Sequence, residues 1–165
     1  LKMKCRHCKS DNLSPFVDLG SSPPSNAYLR AAELQKPERW FPLRVFTCHE
    51  CWLVQTEDFA DYELLFNKDY AYFSSVSKSW VQHAEDYVSA MVTRFELSQN
   101  SHVVEIAAND GYLLQFVKLR GIPCLGVEPT TRTAEAARQK GIEIFEEFLA
   151  KRQRKNWCQK VNLPI

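Results

Sequence analysis

Two matched cysteine pairs, "CRHC" at Cys5 and Cys8 and "CHEC" at Cys48 and Cys51, constrain this chain more than any other feature. Thiolates three positions apart on two short knuckles are the arrangement that closes a tetrahedral zinc site with four sulfur ligands. Such a site leaves no open position for water or substrate, so the metal's part is to hold a small domain together rather than to act as a Lewis acid. A redox disulfide would need one such pair at a strand-to-helix turn, and a structural disulfide would need an oxidising compartment. Nothing in the sequence points to either. His7 and His49 sit inside the knuckles and could each replace a cysteine. With four thiolates the sphere is full, and they read as solvated imidazoles or as groups bonded to the ligands. Cys124 and Cys158 have no partner spacing, and Cys124, beside apolar "LGV", reads as a small buried hydrophobe.

A staple suits the segment between the knuckles. "DLGSSPPSNAYLRAAELQKPERWFPLRVFT" carries prolines at 23, 24, 37 and 42 and little helical periodicity, which predicts irregular or short-strand structure. "FPLRVFTC" and "WLVQTEDF" flank the second knuckle with β-prone residues, as the two strands of a ribbon hairpin would. Next comes "NKDYAYFSSVSKSW", which concentrates two tyrosines, a phenylalanine and four serines. It reads either as a loop able to stack on a ring and donate hydroxyls to it, or as a linker with satellite aromatics. From Ser77 a helix is predicted, with Trp80, Val81, Ala84, Tyr87, Val88, Met91, Val92 and Phe95 at helical spacing as its core stripe.

Beyond Ser101 strand and helix alternate. "VVEIA" is a strand, "GYLLQFVKLR" a helix stopped at Gly121, "CLGVEP" a strand, "TRTAEAARQK" a helix stopped at Gly141, and "IEIF" a third strand. This is a βαβαβ half of a doubly wound parallel sheet, whose ligands sit at the carboxyl ends of the strands. An acid ending the second strand commonly takes ribose hydroxyls, and Glu128, 23 residues after Glu105, stands in that place; the other reading of Glu128 is a solvated loop acid. A pyrophosphate demands several bare backbone N–H groups, hence a three-glycine turn, whereas "EIAANDGY" offers one glycine and two acids. The expected cofactor therefore lacks phosphates and tolerates carboxylates. S-adenosylmethionine fits, with a cationic sulfonium, a cationic ammonium and one small carboxylate for which Gly111 and its neighbours can supply N–H groups.

Composition excludes other classes. At 165 residues, 45% hydrophobic and 25% charged, the chain can bury a real core and falls within one domain or two small ones. A formal net charge of +1 gives no field for nucleic acid or an anionic membrane, although "KRQRK" at Lys151 to Lys155 is locally basic. No apolar run approaches the roughly 20 residues of a membrane span, and "LKMKCRHCKS" has no signal-peptide core. A cytoplasmic protein without a nucleic-acid or membrane partner is expected.

Taken together, "FPLRVFTCHECWLVQTEDF", "DYAYFSS", "VVEIAANDGYLLQF" and "GVEP" resemble the zinc-binding class I methyltransferases that include the sugar C-methyltransferases of deoxysugar biosynthesis. The likeness runs from about Cys5 to Phe148 and rests on the combination rather than on one motif. It implies that Cys5, Cys8, Cys48 and Cys51 hold structural zinc, that Glu105, Asn109, Asp110 and Gly111 form the site for the methionine end, and that Glu128 is the ribose acid. The loop residues Tyr70, Tyr72, Ser74 and Ser75 would face cofactor and sugar, with Tyr70 and Tyr72 the catalytic candidates in this chain. The implied reaction removes a proton beside the keto group of a nucleotide-linked 4-ketosugar, and the enolate attacks the activated methyl. The family's catalytic Glu-His pair lies downstream of these motifs.

The resemblance implies a whole protein of roughly twice this length or more, because a complete sheet needs strands beyond the first one's other edge. The expected fold class is a four-cysteine zinc-binding domain over residues 1–68, a substrate loop and connecting helix over 69–100, and the first βαβαβ half of a Rossmann-like domain over 101–165. The tail after "IEIFEEFLA" departs from the family pattern, so the chain reads as a truncated product. "VVEIA", apolar on both faces, would then be a bare edge open to self-association. Two functions follow: the cofactor-binding part of a C-methyltransferase that is inactive alone, or a non-catalytic, zinc-stapled module for a ligand or partner.

Overall fold

The computed structural model describes residues 3–59, 62–67 and 69–148. The chain divides into two compact units, Leu1–Leu65 and Phe66–Ile165. The basic run Lys151 to Lys155 and Cys158 lie outside the described residues.

The first unit is built on an antiparallel sheet of β1 (Leu13–Ser22), β2 (Phe41–Cys48) and β3 (Val54–Thr56), in the order β1-β2-β3, followed by a four-residue helix α1 (Tyr62–Leu65). The hairpin expected around the second knuckle forms, with Val45 opposite Thr56 and Thr47 opposite Val54. A ten-residue β1 is longer than the irregular or short-strand structure expected there. Its sequence "LSPFVDLGSS" contains two residues that ordinarily break strands, and the structure shows how they are accommodated. β1 is an edge strand, and Pro15 and Gly20 both lie at register shifts, between Pro15 and Val17 and between Asp18 and Ser21. At the second shift Asp18 Oδ1 accepts the Gly20 N–H at 2.8 Å, a turn set into the strand as a bulge.

The second unit opens with α2 (Lys78–Phe95), capped by Ser77, whose hydroxyl accepts the Trp80 N–H. Parallel strands β4 (Val103–Ile106), β5 (Cys124–Val127) and β6 (Glu143–Phe145) follow in the order β4-β5-β6, joined by α3 (Leu114–Leu119) and α4 (Thr131–Gln139). The fold class read from the sequence holds: a four-cysteine domain followed by the parallel βαβαβ half of a Rossmann-like sheet. The helix stops also hold. Gly121 (φ +70°) and Gly141 (φ +75°) each end a helix with paired bonds, Gly121 N–H to Lys118 O with Ile122 N–H to Val117 O, and Gly141 N–H to Arg138 O with Ile142 N–H to Ala137 O.

The core gathers Ala84, Val88, Leu114, Val117, Ile122 and Ile142, with Val81 and Val92 packed against it. The predicted α2 stripe is therefore too wide. Trp80, Tyr87 and Phe95 are exposed, because only the narrow face through Val81, Ala84, Val88 and Val92 joins the core cluster. Among the described residues β4 pairs only with β5, and Ile106 on it is exposed. No described helix is long and apolar enough to cross a membrane.

Candidate functional site

The two knuckles fold alike. Cys5 O accepts the Lys9 N–H and Cys5 N–H donates to Ser10 O; Cys48 O accepts the Trp52 N–H and Cys48 N–H donates to Leu53 O. Lys9 (φ +65°) and Trp52 (φ +61°) take the same left-handed turn just after each second cysteine. Four sulfurs converge as a result: all lie within 4.8 Å of one another, Cys5 to Cys51 and Cys8 to Cys48 at 3.5 Å, and none is in a disulfide. β3 is tied to the first knuckle through buried Gln55, whose Oε1 accepts the Arg6 N–H, and through the Arg6 guanidinium, which donates to Thr56 O and pairs with Asp58 just beyond the strand. His49 bonds to Ser14, and neither histidine joins the cluster.

Charge explains why this cluster wants a cation. Burial raises the Cys5 thiol, but the amides of Cys8 and His7 and the neighbouring thiols outweigh it and lower the group to about 6. The Ser10 amide lowers Cys8, but burial and the thiols of Cys48, Cys51 and Cys5 push it up to about 12. The amides favour thiolates, yet the sulfurs cannot all ionise side by side without a positive ion between them. Zinc, with its preference for four thiolates in a tetrahedron, fits this donor set.

The second site is a cleft of about 400 Å³ at the carboxyl ends of β4 and β5. Rings of Phe66, Tyr70, Tyr72, Tyr112 and Phe148 wall it, with Ser74, Asn109 and Glu128 among its polar lining. Thus the structure brings together Tyr70, Tyr72, Ser74, Asn109 and Glu128 from the residues singled out in the sequence, while Ser75, Glu105, Asp110 and Gly111 do not line the cleft. From the sequence Tyr112 reads only as part of a helix. Its place directly after the "NDG" turn, at the cleft end of β4, is the signal that could have found it. Trp80 stacks on Tyr112 with centroids 6.0 Å apart, and His83 on Trp80 at 5.2 Å, so the wall continues onto α2.

The turn after β4 corrects one step of the sequence argument. Ala107 (φ +61°), Asn109 (φ +50°) and Gly111 (φ +72°) are all left-handed at two-residue intervals, so the turn makes two of its three left-handed positions without glycine. Its anion-binding capacity is engaged internally: the Asn109 N–H donates to Glu128 Oε2 at 2.9 Å, and the Gly111 N–H donates to Ala108 O. Gly111 is needed for packing as well as for its φ, since a Cβ there would collide with Ile142 and lie 3.1 Å from Ala137 Cβ.

Two buried acids, Glu128 and Asp110, and the half-buried Glu105 surround this turn. Glu128 Oε1 accepts from the Thr130 N–H at 3.0 Å and from the Thr130 hydroxyl, so the carboxylate is oriented by both chain segments it touches. Asp110, 1% exposed, accepts from the Ser75 N–H and hydroxyl and pairs with Lys140 at 3.5 Å. Glu105 on β4 has a buried oxygen, Oε2, with no hydrogen-bond partner among the described residues. Burial, then Glu128 and Asp110, raise it to about 8. Tyr70 is also raised, by burial, Glu128 and Tyr72, and Tyr112 by burial and Glu105 foremost.

Comparison with known proteins matches residues 5–66 to a family described as "Putative zinc binding domain". The chain is 31% identical over 142 residues to the C-methyltransferase NovU of Streptomyces niveus, an alignment covering 86% of this chain and 34% of that protein. The chain thus spans about a third of that relative's length. Among solved structures, a SAM-dependent methyltransferase from Archaeoglobus fulgidus aligns with a TM-score of 0.33 at 18% identity, over 43% of this chain and 33% of that one. The family matched by residues 5–66 and the likeness to a C-methyltransferase bear out the resemblance read from the sequence.

Proposed function

We propose that this chain is the amino-terminal, cofactor-holding part of an S-adenosylmethionine-dependent C-methyltransferase whose substrate is a nucleotide-linked 4-ketosugar. The character of the cleft carries this reading: five aromatic rings, acidic Glu128 and, among the described residues, no lysine or arginine in the lining. A polyphosphate would need cations or free amides, and the Asn109 amide is already bonded to Glu128. A ligand combining a flat ring, hydroxyls and positive charge meets stacking surfaces, acceptors and negative potential. S-adenosylmethionine has all three, and the likeness to a C-methyltransferase over most of the chain supports the choice.

In this proposal the cofactor supplies an activated methyl group. Glu128 accepts ribose hydroxyls through the acceptor capacity left on Oε2. Asp110 and Gly111 serve from behind by holding the turn. Tyr70, whose phenol is kept protonated by burial and by the negative charge of Glu128, is a hydrogen-bond donor suited to an enolate oxygen rather than a base. Tyr72, Ser74 and Ser75 belong to the loop that frames the substrate side. The four-cysteine zinc is structural.

Calorimetric titration of the chain with S-adenosylmethionine and, separately, with a nicotinamide dinucleotide tests the cofactor. Binding of the first and not the second is expected; the reverse preference would refute the reading. For the substrate, a whole protein containing this sequence should move a radiolabelled methyl to a carbon of a nucleotide-linked 4-ketosugar, and label found only on oxygen or nitrogen would exclude C-methylation.

A further inference from the structure

Four consecutive loop residues are each fastened to the sheet end or to α4. Tyr72 O accepts from Asn109 Nδ2 at 3.0 Å, the Phe73 ring lies under the Arg132 guanidinium at 5.8 Å, the Ser74 N–H donates to Asn109 Oδ1 at 2.9 Å, and the Ser75 N–H and hydroxyl donate to Asp110. Asp110 is itself secured by Lys140, whose Nζ also donates to its carbonyl oxygen at 2.6 Å. Asn109 is the junction. Its backbone N–H holds Glu128 while its side chain, through both ends of the amide, holds the loop that carries Tyr70 and Tyr72.

We infer that Asn109 is a positioning residue, a clasp that fixes the aromatic loop and the Glu128 carboxylate in one geometry so that the cleft is formed before its ligand arrives. The residue type fits this task. The site needs φ +50°, which glycine and asparagine tolerate best, but glycine has no side chain with which to hold the loop. An asparagine amide offers a donor and an acceptor on one rigid group, matched here to a carbonyl and an N–H two residues apart. A preformed wall spares the ligand the entropy of ordering the loop. The effect on affinity rests on the cofactor reading above, whereas the clasp itself does not.

Asn109→Gly separates the clasp from a merely backbone role, because the two predict opposite results. If Asn109 served only to adopt a left-handed φ, glycine would be neutral or stabilising and the loop would be unaffected. The clasp requires that the Ser74 amide exchange with solvent at least about tenfold faster in Asn109→Gly while α4 amides keep their protection. S-adenosylmethionine should also bind about fivefold or more weakly. Ser75→Ala, which leaves the turn's φ values intact, should loosen the Ser74 amide in the same direction and decides the matter should the glycine variant not fold. Unchanged Ser74 exchange in the folded variants, or a Ser74 amide already unprotected in the wild type, would overturn the clasp. Faster exchange with unchanged affinity would overturn the positioning role. Should the wild type bind no S-adenosylmethionine, the cofactor reading falls and the exchange data alone decide the clasp.

Discussion

Replacing Glu105 with glutamine should stabilise the second unit at high pH relative to low pH. Burial, reinforced by Glu128 and Asp110, raises the carboxyl from 4.5 to about 8. As pH climbs between those values the unfolded chain loses this proton while the folded chain retains it. The stability contributed by the neutral carboxyl is therefore whole below 4.5 and is lost progressively as pH rises toward 8. From about pH 5 to about pH 8 the loss has a ceiling of about 3.5 kcal/mol, which partial solvent access lowers to about 2. Glutamine does not titrate, and the fixed cost of burying its amide is the same at both pH values, so it cancels in the double difference. Urea unfolding followed at the helical circular dichroism band suits the measurement, because α2, α3 and α4 all lie in the second unit, whereas among the described residues the first contributes the four residues of α1 and one 3-10 turn, Ala31–Glu33. A wild-type-minus-variant difference that stays constant within about 0.5 kcal/mol between the two pH values would refute the argument. Glu105 would then be an ordinary ionised carboxylate.

Three further outcomes are expected. The purified protein should carry one tightly held zinc, with Cys48→Ser releasing it and unfolding the first unit; metal analysis finding less than about half an equivalent after reducing purification would count against the site. Glu128→Ala should weaken S-adenosylmethionine binding by about 1 to 3 kcal/mol, and unchanged affinity by calorimetry in a folded variant would remove Glu128 from the cleft's function. Gly111→Ala should cost roughly 2 to 4 kcal/mol, the sum of left-handed strain and of overpacking against Ile142 and Ala137. A melting temperature equal to that of the wild type would contradict the packing described for it.

What was legible in the sequence is what short-range chemistry decides. Paired cysteines three positions apart, a glycine after a basic helix end, and β-branched runs bounded by turns each act within a few residues, and the knuckles, the stops at Gly121 and Gly141 and the order β4-α3-β5-α4-β6 followed from them. β1 was less legible, because whether Pro15 and Gly20 break a strand depends on whether bulges at their positions suit a partner 21 to 31 residues away. The width of the α2 face was illegible for a related reason: period gives the direction of a stripe, but the neighbours decide how much of it they cover, and here Trp80, Tyr87 and Phe95 fall outside.

The turn after β4 shows the limit most clearly. The single glycine in "EIAANDGY" suggests a turn with one left-handed position, yet three residues there are left-handed. Ala107 pays roughly 1 to 2 kcal/mol for this and Asn109 less, strain that persists only where the surroundings over-determine the conformation. The surroundings are identifiable: β5 takes the Ala108 N–H through Val127 O, Glu128 takes the Asn109 N–H, and the Asn109 side chain holds Tyr72 and Ser74. Glycine count therefore reports how cheaply a turn can be made, not whether it is made. Asparagine at this position gives up some backbone ease and gains two bonds to the loop, which ties the shape of the cleft's wall to the turn beneath it.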